Sequence, residues 1–323
     1  MYFSRIRIRP GINELSELAD MLRYDQYAVH RMLWRLFPNQ EARTFLYREE
    51  IAREQLGPSP SVRGEPVYYL VSQVEPLKVE NSLFEVESKT YQPTLQKGDV
   101  LSFSLRANPV VQVKVARGED EQIKHAKQRK DKGLKEKITK KRVHHDVVMH
   151  EQRRFLQALI NECSLQQSIP ANPSKAVLKQ LLLNQGGAVL EKRLTELLCT
   201  NPLYAERLTQ ISVLSDKLEW AIKAQIDQAL QNWLVEQGEG HGFALVTDQS
   251  GLFTVQNSAY AWHSLPQKTD KKGEKAGFSS VDFTGELQIT DPEKFREILF
   301  NGLGRAKAFG CGLLMVRRVV PCS

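Results

Sequence analysis

The sequence predicts an α+β protein made of two ferredoxin-like domains, with a helical insertion in the second. Three observations predict this fold class. Stretches of period-two alternation flank an amphipathic helix in the first third of the chain. A similar order of strand and helix patterns returns after residue 240, and residues 147–236 between them show helical apolar spacing. The length of 323 residues is sufficient for two domains, each with its own core.

Residues 1–108 are predicted to form the first domain. Residues 2–9 alternate between Tyr/Ser/Ile positions and Phe/Arg positions, so the chain opens with a strand. Pro38 ends the amphipathic helix that follows. The predicted elements are strands at 2–9, 43–51, 66–74 and 100–107, and helices at 24–39 and 81–94. This order of strand, helix, strand, strand, helix and strand is the split βαβ pattern of a ferredoxin-like domain.

Residues 109–323 are predicted to form the second domain. Its special segments are a basic loop or hairpin at about 114–145, a helical insertion at about 160–234, and a glycine-rich loop at 302–312. Residues 147–236 should hold roughly four helices. Strand pieces follow between residues 243 and 263, then a long strand at 277–290, a helix that starts at Asp291–Pro292, and a closing strand to residue 320. We expect the insertion to pack on itself; docking of a neighbouring subunit is the alternative.

The positive charge of the chain is concentrated in one segment. Residues 124–142 contain ten Lys/Arg and two acidic residues, a local net charge of +8 in a chain whose net charge is +7. A polyanion such as nucleic acid is the partner this favours, and the segment lacks the apolar face that a membrane surface requires. No run approaches 18 apolar residues and no signal peptide precedes the first strand, so we expect a cytoplasmic protein with no membrane partner.

Cysteine and histidine spacing gives no sign of a bound metal. The four cysteines have no CxxC spacing, which argues against both disulfides and a zinc site. The histidines lack the i, i+4 pairs of a helical metal site. We therefore expect no metal and no cofactor.

The helix within residues 24–39 carries a possible catalytic pair. At roughly 100° per residue, Val29 and its apolar neighbours form one stripe, with His30 about 100° from Val29 at its edge. Tyr27 lies on the side away from the stripe, so the two side chains should project from the core near each other. Imidazole is well suited to proton transfer near neutral pH. A solvated His and Tyr without a chemical role is the alternative.

The glycine-rich loop has the composition of a phosphate site. Its glycines permit tight turns that aim N–H groups outward beside two cations. These residues are Gly302, Gly304, Arg305, Lys307, Gly310 and Gly312. The alternative is structural, with a helix C-cap at Gly302 and close packing at Gly310 and Gly312.

Four segments together resemble a known family, the CRISPR-associated repeat-processing endoribonucleases, in particular the CasE branch of type I-E systems. The segments are MYFSRIRI at the start, YAVHRMLWRLFPN, LRANP, and FTGELQITD followed by GLGRAKAFGCGLL. They occur in order over residues 1 to about 150 and about 240 to 320. The resemblance implies tandem ferredoxin-like, or RRM-like, domains, which agrees with the element order found above.

The resemblance also implies an activity. Family members cleave CRISPR precursor RNA without metal at the base of each repeat hairpin, keep the product guide RNA bound, and remain as a subunit of the Cascade complex. The family's catalytic positions match Tyr27 and His30, with Arg35 as the matching basic residue. Attack by the RNA 2′-OH on the adjacent phosphorus would leave a 2′,3′-cyclic phosphate and a 5′-OH, with no need for a protein nucleophile. A hairpin loop that lies along the RNA stem in the family matches residues 267–275.

We expect the basic segments and the glycine-rich loop to bind the RNA. The predicted RNA-binding residues are Arg31, Arg129, Lys130, Lys132, Lys140, Lys141, Arg142, Lys268, Lys271, Lys272, Lys275, Gly302, Gly304, Arg305, Lys307 and Gly310. Two other functions stay open at this point. One is a non-catalytic RNA-hairpin-binding subunit of the same complex, and the other is a general basic RNA-binding protein.

Overall fold

The computed structural model describes residues 1–8, 28–55, 62–78, 84–134, 140–169, 173–265 and 277–319. The chain divides into two compact units. The first consists of Met1–Pro109 and Gln231–Ser323, and the second of Val110–Leu230.

The described residues form strands and helices along the whole chain. The strands are β1 (Tyr2–Ile8), β2 (Phe45–Gln55), β3 (Val62–Ser72), β4 (Phe84–Thr90), β5 (Val100–Ala107), β6 (Val110–Val115), β7 (Lys141–Asp146), β8 (Phe243–Leu245), β9 (Gln256–Ser264), β10 (Gly277–Ile289) and β11 (Leu314–Arg318). The helices are α1 (Ala28–Trp34), α2 (Glu119–Asp131), α3 (Val147–Glu162), α4 (Lys175–Gln185), α5 (Gly187–Thr200), α6 (Pro202–Leu208), α7 (Leu214–His241) and α8 (Pro292–Asn301), with short 3₁₀ helices at Gln166–Ser168 and Lys307–Phe309.

The first unit contains two antiparallel sheets, which confirms the α+β class with antiparallel sheets. In the first sheet the strand order is β2-β3-β1-β4. Helix α1 packs on one face of this sheet through the apolar stripe that the sequence predicts, and Met32, Leu33 and Phe37 are buried there against Ile6 and Leu70. Burying side chains of this size stabilises the fold by roughly 1.5–3 kcal/mol each.

The prediction of a short helix at 81–94 is wrong, because residues 84–90 form the edge strand β4. This strand pairs antiparallel with β1, with Phe84 opposite Ile8. Phe84 and Val86 do alternate with Glu85 and Glu87, but the stretch is short and mostly charged. Its period-two pattern is therefore weaker than that of the central strands, as is common for edge strands that carry charge.

The strand predicted at 100–107 exists, but its predicted place in the first sheet is wrong. Strand β5 lies in the second sheet, whose order is β11-β5-β10-β8, with β9 also paired to β10. Alternate residues of β5 are buried, from Leu101 to Ala107. Alternation shows which face of a strand is buried, but it does not show which strands lie beside it.

The remaining elements of the second sheet follow the prediction closely. The long strand β10 and the closing strand β11 lie within the predicted ranges. Helix α8 begins at Pro292, and the Asp291 carboxylate accepts hydrogen bonds from the backbone N–H groups of Glu293 and Lys294. An acceptor at the N-cap followed by Pro at the first helical position is the start that the sequence indicates.

Arg106 of β5 connects the two sheets of this unit. Its guanidinium donates two hydrogen bonds to the Asp282 carboxylate, from Nε at 2.8 Å and from Nη2 at 2.9 Å. Its Nη1 also donates to the carbonyl oxygen of Glu49 on β2, at 3.1 Å. Leu46 on β2 packs near Leu313, which precedes β11, so apolar contacts accompany this polar connection.

We expect Arg106→Met to lower the free energy of unfolding by about 2 kcal/mol, because the substitution leaves the half-buried Asp282 carboxylate without its partner. Urea denaturation followed by circular dichroism measures this change. Arg5→Met is the matched control, since Arg5 also pairs with a carboxylate, Glu87, but at an exposed position. An exposed pair contributes little, so the control should show no measurable change. Equal losses in both variants would contradict the role of Arg106.

The second unit combines a two-stranded sheet, β6-β7, with helices. Helices occupy most of residues 147–241, which confirms the helical spacing, although five α-helices are present in the described residues rather than about four. Strands β6 and β7 pair antiparallel on either side of the basic segment, which confirms the hairpin interpretation, and residues 119–131 between them form helix α2 with no buried residue, which was not predicted. Acidic residues lie in its first turn, and Arg129 and Lys130 in its last, an order that the helix dipole favours. Within the described part of the chain, none of the helices combines the length and the apolar character that a membrane span requires.

Candidate functional site

His30 lies on α1 and is buried, with 3% of the residue exposed. The expectation that this ring projects away from the core is therefore wrong. Its plane lies near those of Phe45 and Tyr47 on β2, with ring centroids at 5.4 Å and 6.3 Å and interplanar angles of 30° and 26°. Trp34 meets the ring edge-on, at 5.3 Å. The large aromatic side chains of β2 extend beyond the apolar stripe of α1, so they cover the edge position that His30 occupies.

Burial changes the acid–base behaviour of His30. Two effects lower the pKa of His30 from an ordinary 6.5 to about 4. The larger is the loss of water around the buried ring, and the smaller is the positive charge of Arg43. Both effects disfavour the charged form. The imidazole is therefore neutral at neutral pH and can accept a proton.

Tyr47 connects His30 to the glycine-rich loop. Its ring stacks on the imidazole, and its hydroxyl donates a hydrogen bond to the carbonyl oxygen of Ala308, at 3.1 Å. Gly310 lies against the same ring, because a Cβ at this glycine would be 3.2 Å from Tyr47 Cε2. The loop and the imidazole thus contact opposite parts of one tyrosine.

The glycine-rich loop needs glycine for its backbone conformation. Its four glycines have φ between +74° and +93°, in the left-handed region. Gly302 caps α8, with its N–H donating to the carbonyl of Ile298 at 2.8 Å. The N–H of Leu303 donates to the carbonyl of Gly312 at 2.9 Å, and the N–H of Gly312 donates to the carbonyl of Arg106 at 2.7 Å. The structural interpretation of Gly302, Gly310 and Gly312 is thereby confirmed.

These bonds correct the expectation that the loop aims its N–H groups outward. The N–H groups of Gly302, Leu303, Phe309 and Gly312 all donate to carbonyls of the chain itself. A phosphate at this loop would therefore meet cationic side chains before it met those backbone donors.

Cations are present around the loop. Arg305 is exposed, while Lys307 is half-buried and donates through Nζ to the carbonyl of Asn301 at 2.7 Å. The pKa of Lys307 is lowered mainly by burial and to a smaller extent by the positive charge of Arg43. Arg43 is exposed, and its positive charge contributes to the lowered pKa of both His30 and Lys307.

The other predicted site residues fall into three groups. Arg31 and Arg35 are exposed, on α1 and just after it. Tyr27, Lys268, Lys271, Lys272 and Lys275 lie outside the described residues. The third group lies in the second unit and consists of Arg129, Lys130, Lys132, Lys140, Lys141 and Arg142. Arg129 and Lys141 are half-buried, and the other four are exposed. The Lys141 ammonium donates a hydrogen bond to the Glu121 carboxylate at 2.8 Å.

Sequence reasoning missed Tyr47 and Arg43. Tyr47 could have been found, because Phe45 and Tyr47 are two residues apart on a predicted strand and so share a face with each other. That face meets α1 in the structure. Arg43 is the first residue of the strand predicted at 43–51, which the structure begins at Phe45, and no sequence signal shows that its charge acts on His30.

Comparison with known proteins identifies similar chains. A family model described as "CRISPR associated protein" matches residues 1–318. The CRISPR-associated endoribonuclease Cse3 of Thermus thermophilus is 36% identical over 88 residues, which are 26% of this chain and 40% of that protein. The match thus spans well under two thirds of the length of this curated relative.

Solved structures show a similar fold. A CRISPR endoribonuclease Cse3 bound to a 19-nucleotide RNA has a TM-score of 0.52 and 19% identity, with 98% of this chain and 100% of that chain covered. The CRISPR-associated protein Cas6e from Escherichia coli K-12 has a TM-score of 0.46 and 18% identity, with 99% and 100% covered. The first of these likenesses supports the arrangement of strands and helices described above.

Proposed function

The chain belongs to the CRISPR-associated protein family, as the resemblance in its sequence predicts, and we propose that it is a metal-independent endoribonuclease of the CasE type. It cleaves CRISPR precursor RNA at the repeat hairpin and produces mature guide RNA. The observation that carries this proposal is the contact of Tyr47 with both the buried imidazole of His30 and the glycine-rich loop, which itself carries Lys307. The relative described as bound to RNA supports the same substrate class.

The proposed reaction is an internal transesterification of the RNA. The 2′-oxygen of one ribose forms a bond to the adjacent phosphorus, and the bond from phosphorus to the 5′-oxygen of the next nucleotide breaks. The 2′-OH proton goes to the base, and the 5′-oxygen takes a proton as it leaves. The products are a 2′,3′-cyclic phosphate and a 5′-OH, and no other reactant is consumed.

Each proposed catalytic residue has a role in these proton and charge changes. His30 is neutral at pH 7 and accepts the proton of the 2′-OH. Tyr27 orients the ribose or supplies the proton to the leaving oxygen. Arg35, or the cations near the loop, stabilises the negative charge that develops on the phosphorane.

The burial of His30 sets a condition on this proposal. Because the residue is only 3% exposed, the imidazole does not meet solvent freely. Bound RNA must therefore uncover the ring before proton transfer, and we propose that Trp34, the half-buried side chain that meets the ring edge-on, is the one that moves. The binding energy of the RNA hairpin can be used for such a rearrangement.

The proposal includes the partners expected from the sequence. Repeat RNA and guide RNA contact the basic residues predicted above, and the product complex remains with other Cascade subunits in the cytoplasm. We keep the tandem ferredoxin-like arrangement, with the helical insertion in the second domain, as part of the proposal. Because strand β5 pairs with β10 and β11 in the second sheet, the proposed domain boundary moves from residues 108 and 109 to a position before Val100.

Wild-type protein with a labelled repeat-hairpin RNA in excess EDTA tests the proposal. We expect cleavage at one bond, with a 2′,3′-cyclic phosphate on the 5′ fragment. A single 2′-deoxy substitution at the cut site should abolish the reaction, because it removes the nucleophile, and a 2′-deoxy substitution elsewhere in the stem is the control. Binding without cleavage would favour the non-catalytic RNA-hairpin-binding subunit. Equal affinity for a random RNA of the same length would favour a general RNA-binding protein.

A further inference from the structure

Tyr47 contacts both halves of the candidate site. Its ring lies 6.3 Å from the ring of His30, tilted by 26°. Its hydroxyl also donates to the Ala308 carbonyl, and a Cβ at Gly310 would lie 3.2 Å from Tyr47 Cε2. Tyr47 is buried, so both contacts are shielded from water and are geometrically constrained.

The backbone around Ala308 forms a tight turn. Ala306 has φ +55° and precedes the 3₁₀ helix, while Gly310 follows it with φ +77°. A left-handed conformation at a non-glycine residue such as Ala306 is uncommon and needs support from the surrounding structure. The hydrogen bond from Tyr47 to the Ala308 carbonyl is one such support, and the same turn carries Lys307.

We propose that Tyr47 is a positioning residue, which holds the imidazole of His30 in a fixed orientation relative to the glycine-rich loop and the phosphate that this loop receives. This inference rests on the proposed function and names a residue for the same reaction. The ring of Tyr47 fixes the plane of the imidazole, and the hydroxyl fixes Tyr47 to the loop. Proton transfer depends on the position of the base to within about 1 Å, so loosening this contact costs rate.

Two substitutions separate the parts of this role. Tyr47→Phe keeps the ring and removes the hydroxyl that donates to Ala308, so the single-turnover cleavage rate should fall about fivefold, the typical effect of one net hydrogen bond. Tyr47→Leu also removes the aromatic stacking and should slow cleavage on the order of 100-fold. The affinity for an uncleavable RNA with a 2′-deoxy ribose at the cut site should stay close to wild type for both variants.

The pH profile of cleavage provides a readout that a general loss of stability would not change. In the wild-type protein His30 has a pKa of about 4, so its proton-accepting form is retained down to about pH 5. Tyr47→Leu readmits water to the ring and moves the pKa of His30 upward, towards its ordinary value of 6.5. The acid limb of the rate profile should then move to higher pH in this variant.

Tyr69→Phe is the matched control, because Tyr69 lies on the opposite face of the same sheet and stacks on Phe3. It should cleave at the wild-type rate. The inference is overturned if Tyr47→Phe cleaves like wild type, or if RNA affinity falls in proportion to rate. If Tyr47→Leu does not fold, the cleavage rate and RNA affinity of Tyr47→Phe alone test the inference. Failure of the proposed function is distinguishable, because the wild-type protein itself would not cleave.

Discussion

His30→Ala is expected to slow cleavage of a repeat-hairpin RNA by about 10²- to 10⁴-fold, the usual contribution of one positioned proton-transfer group. The affinity for an uncleavable 2′-deoxy RNA should stay close to wild type, because the imidazole is buried in the free protein and contributes little to the initial RNA contact. Single-turnover kinetics with the protein in excess measure the rate, and filter binding measures the affinity. A variant that cleaves at the wild-type rate would contradict the assignment of His30 as the base.

His30→Phe distinguishes chemistry from packing. Alanine leaves a cavity beside Phe45 and Tyr47, and this cavity could itself disturb the site. Phenylalanine fills the same space among the aromatic rings but has no nitrogen to accept a proton. We therefore expect His30→Phe to be folded and inactive. Substantial activity in this variant would show that the reaction requires a ring packed at this position and not the proton-accepting nitrogen of the imidazole.

Comparison of the wild-type protein with His30→Phe also tests whether the imidazole is buried. Folding lowers the pKa of His30 from 6.5 to about 4, so the folded state binds this proton less readily than the unfolded state. The free energy of unfolding is therefore highest above pH 6.5, where His30 is neutral in both states. It falls by up to about 3 kcal/mol as the pH drops from 6.5 towards 4, because the unfolded state takes up the proton first. His30→Phe lacks the proton site, and its free energy of unfolding should depend less on pH in this window. Identical pH dependence in both proteins would contradict the buried position.

Sequence patterns predicted those elements whose pattern has a single structural meaning. The α1 stripe, the long strand β10 and the start of α8 at Asp291–Pro292 were all predicted correctly. Each has either a strong periodicity or a specific capping signal. Helix α2 has neither, since all of its residues are at least partly exposed, so its charged sequence indicates a loop or hairpin and not a helix.

The candidate site was harder to predict, because it depends on which elements become neighbours. The angular position of His30 on its helix is at the edge of the apolar stripe, and a helical wheel cannot show how far the opposing side chains extend. Phe45 and Tyr47 extend far enough to bury it. For the same reason the sequence indicated glycines suited to a phosphate loop, but not that several loop N–H groups bond within the chain.

Gly312→Ala is expected to destabilise the protein by about 3 kcal/mol and to displace the glycine-rich loop, because the residue combines a left-handed backbone with a steric clash. Gly312 has φ +93°, and a Cβ there would lie 2.7 Å from the carbonyl oxygen of Leu303. The backbone cannot shift freely to relieve this clash, since the N–H of Gly312 donates to Arg106 and its carbonyl accepts from Leu303. Urea denaturation measures the loss, and cleavage should fall with it because the loop carries Lys307.

Gly304→Ala is the matched control within the same loop. Gly304 has a similar positive φ of +74°, but the nearest atoms to its Cβ would be 3.6 Å away, at ordinary contact distance. It therefore retains the conformational strain of roughly 1–2 kcal/mol without the clash. The difference in the free energy of unfolding between the two variants isolates the contribution of close packing between Gly312 and Leu303. If both substitutions lower the free energy of unfolding equally, that packing does not fix the loop. The positions of Lys307 and Ala308 must then depend on other contacts, of which the hydrogen bond from Tyr47 is the first.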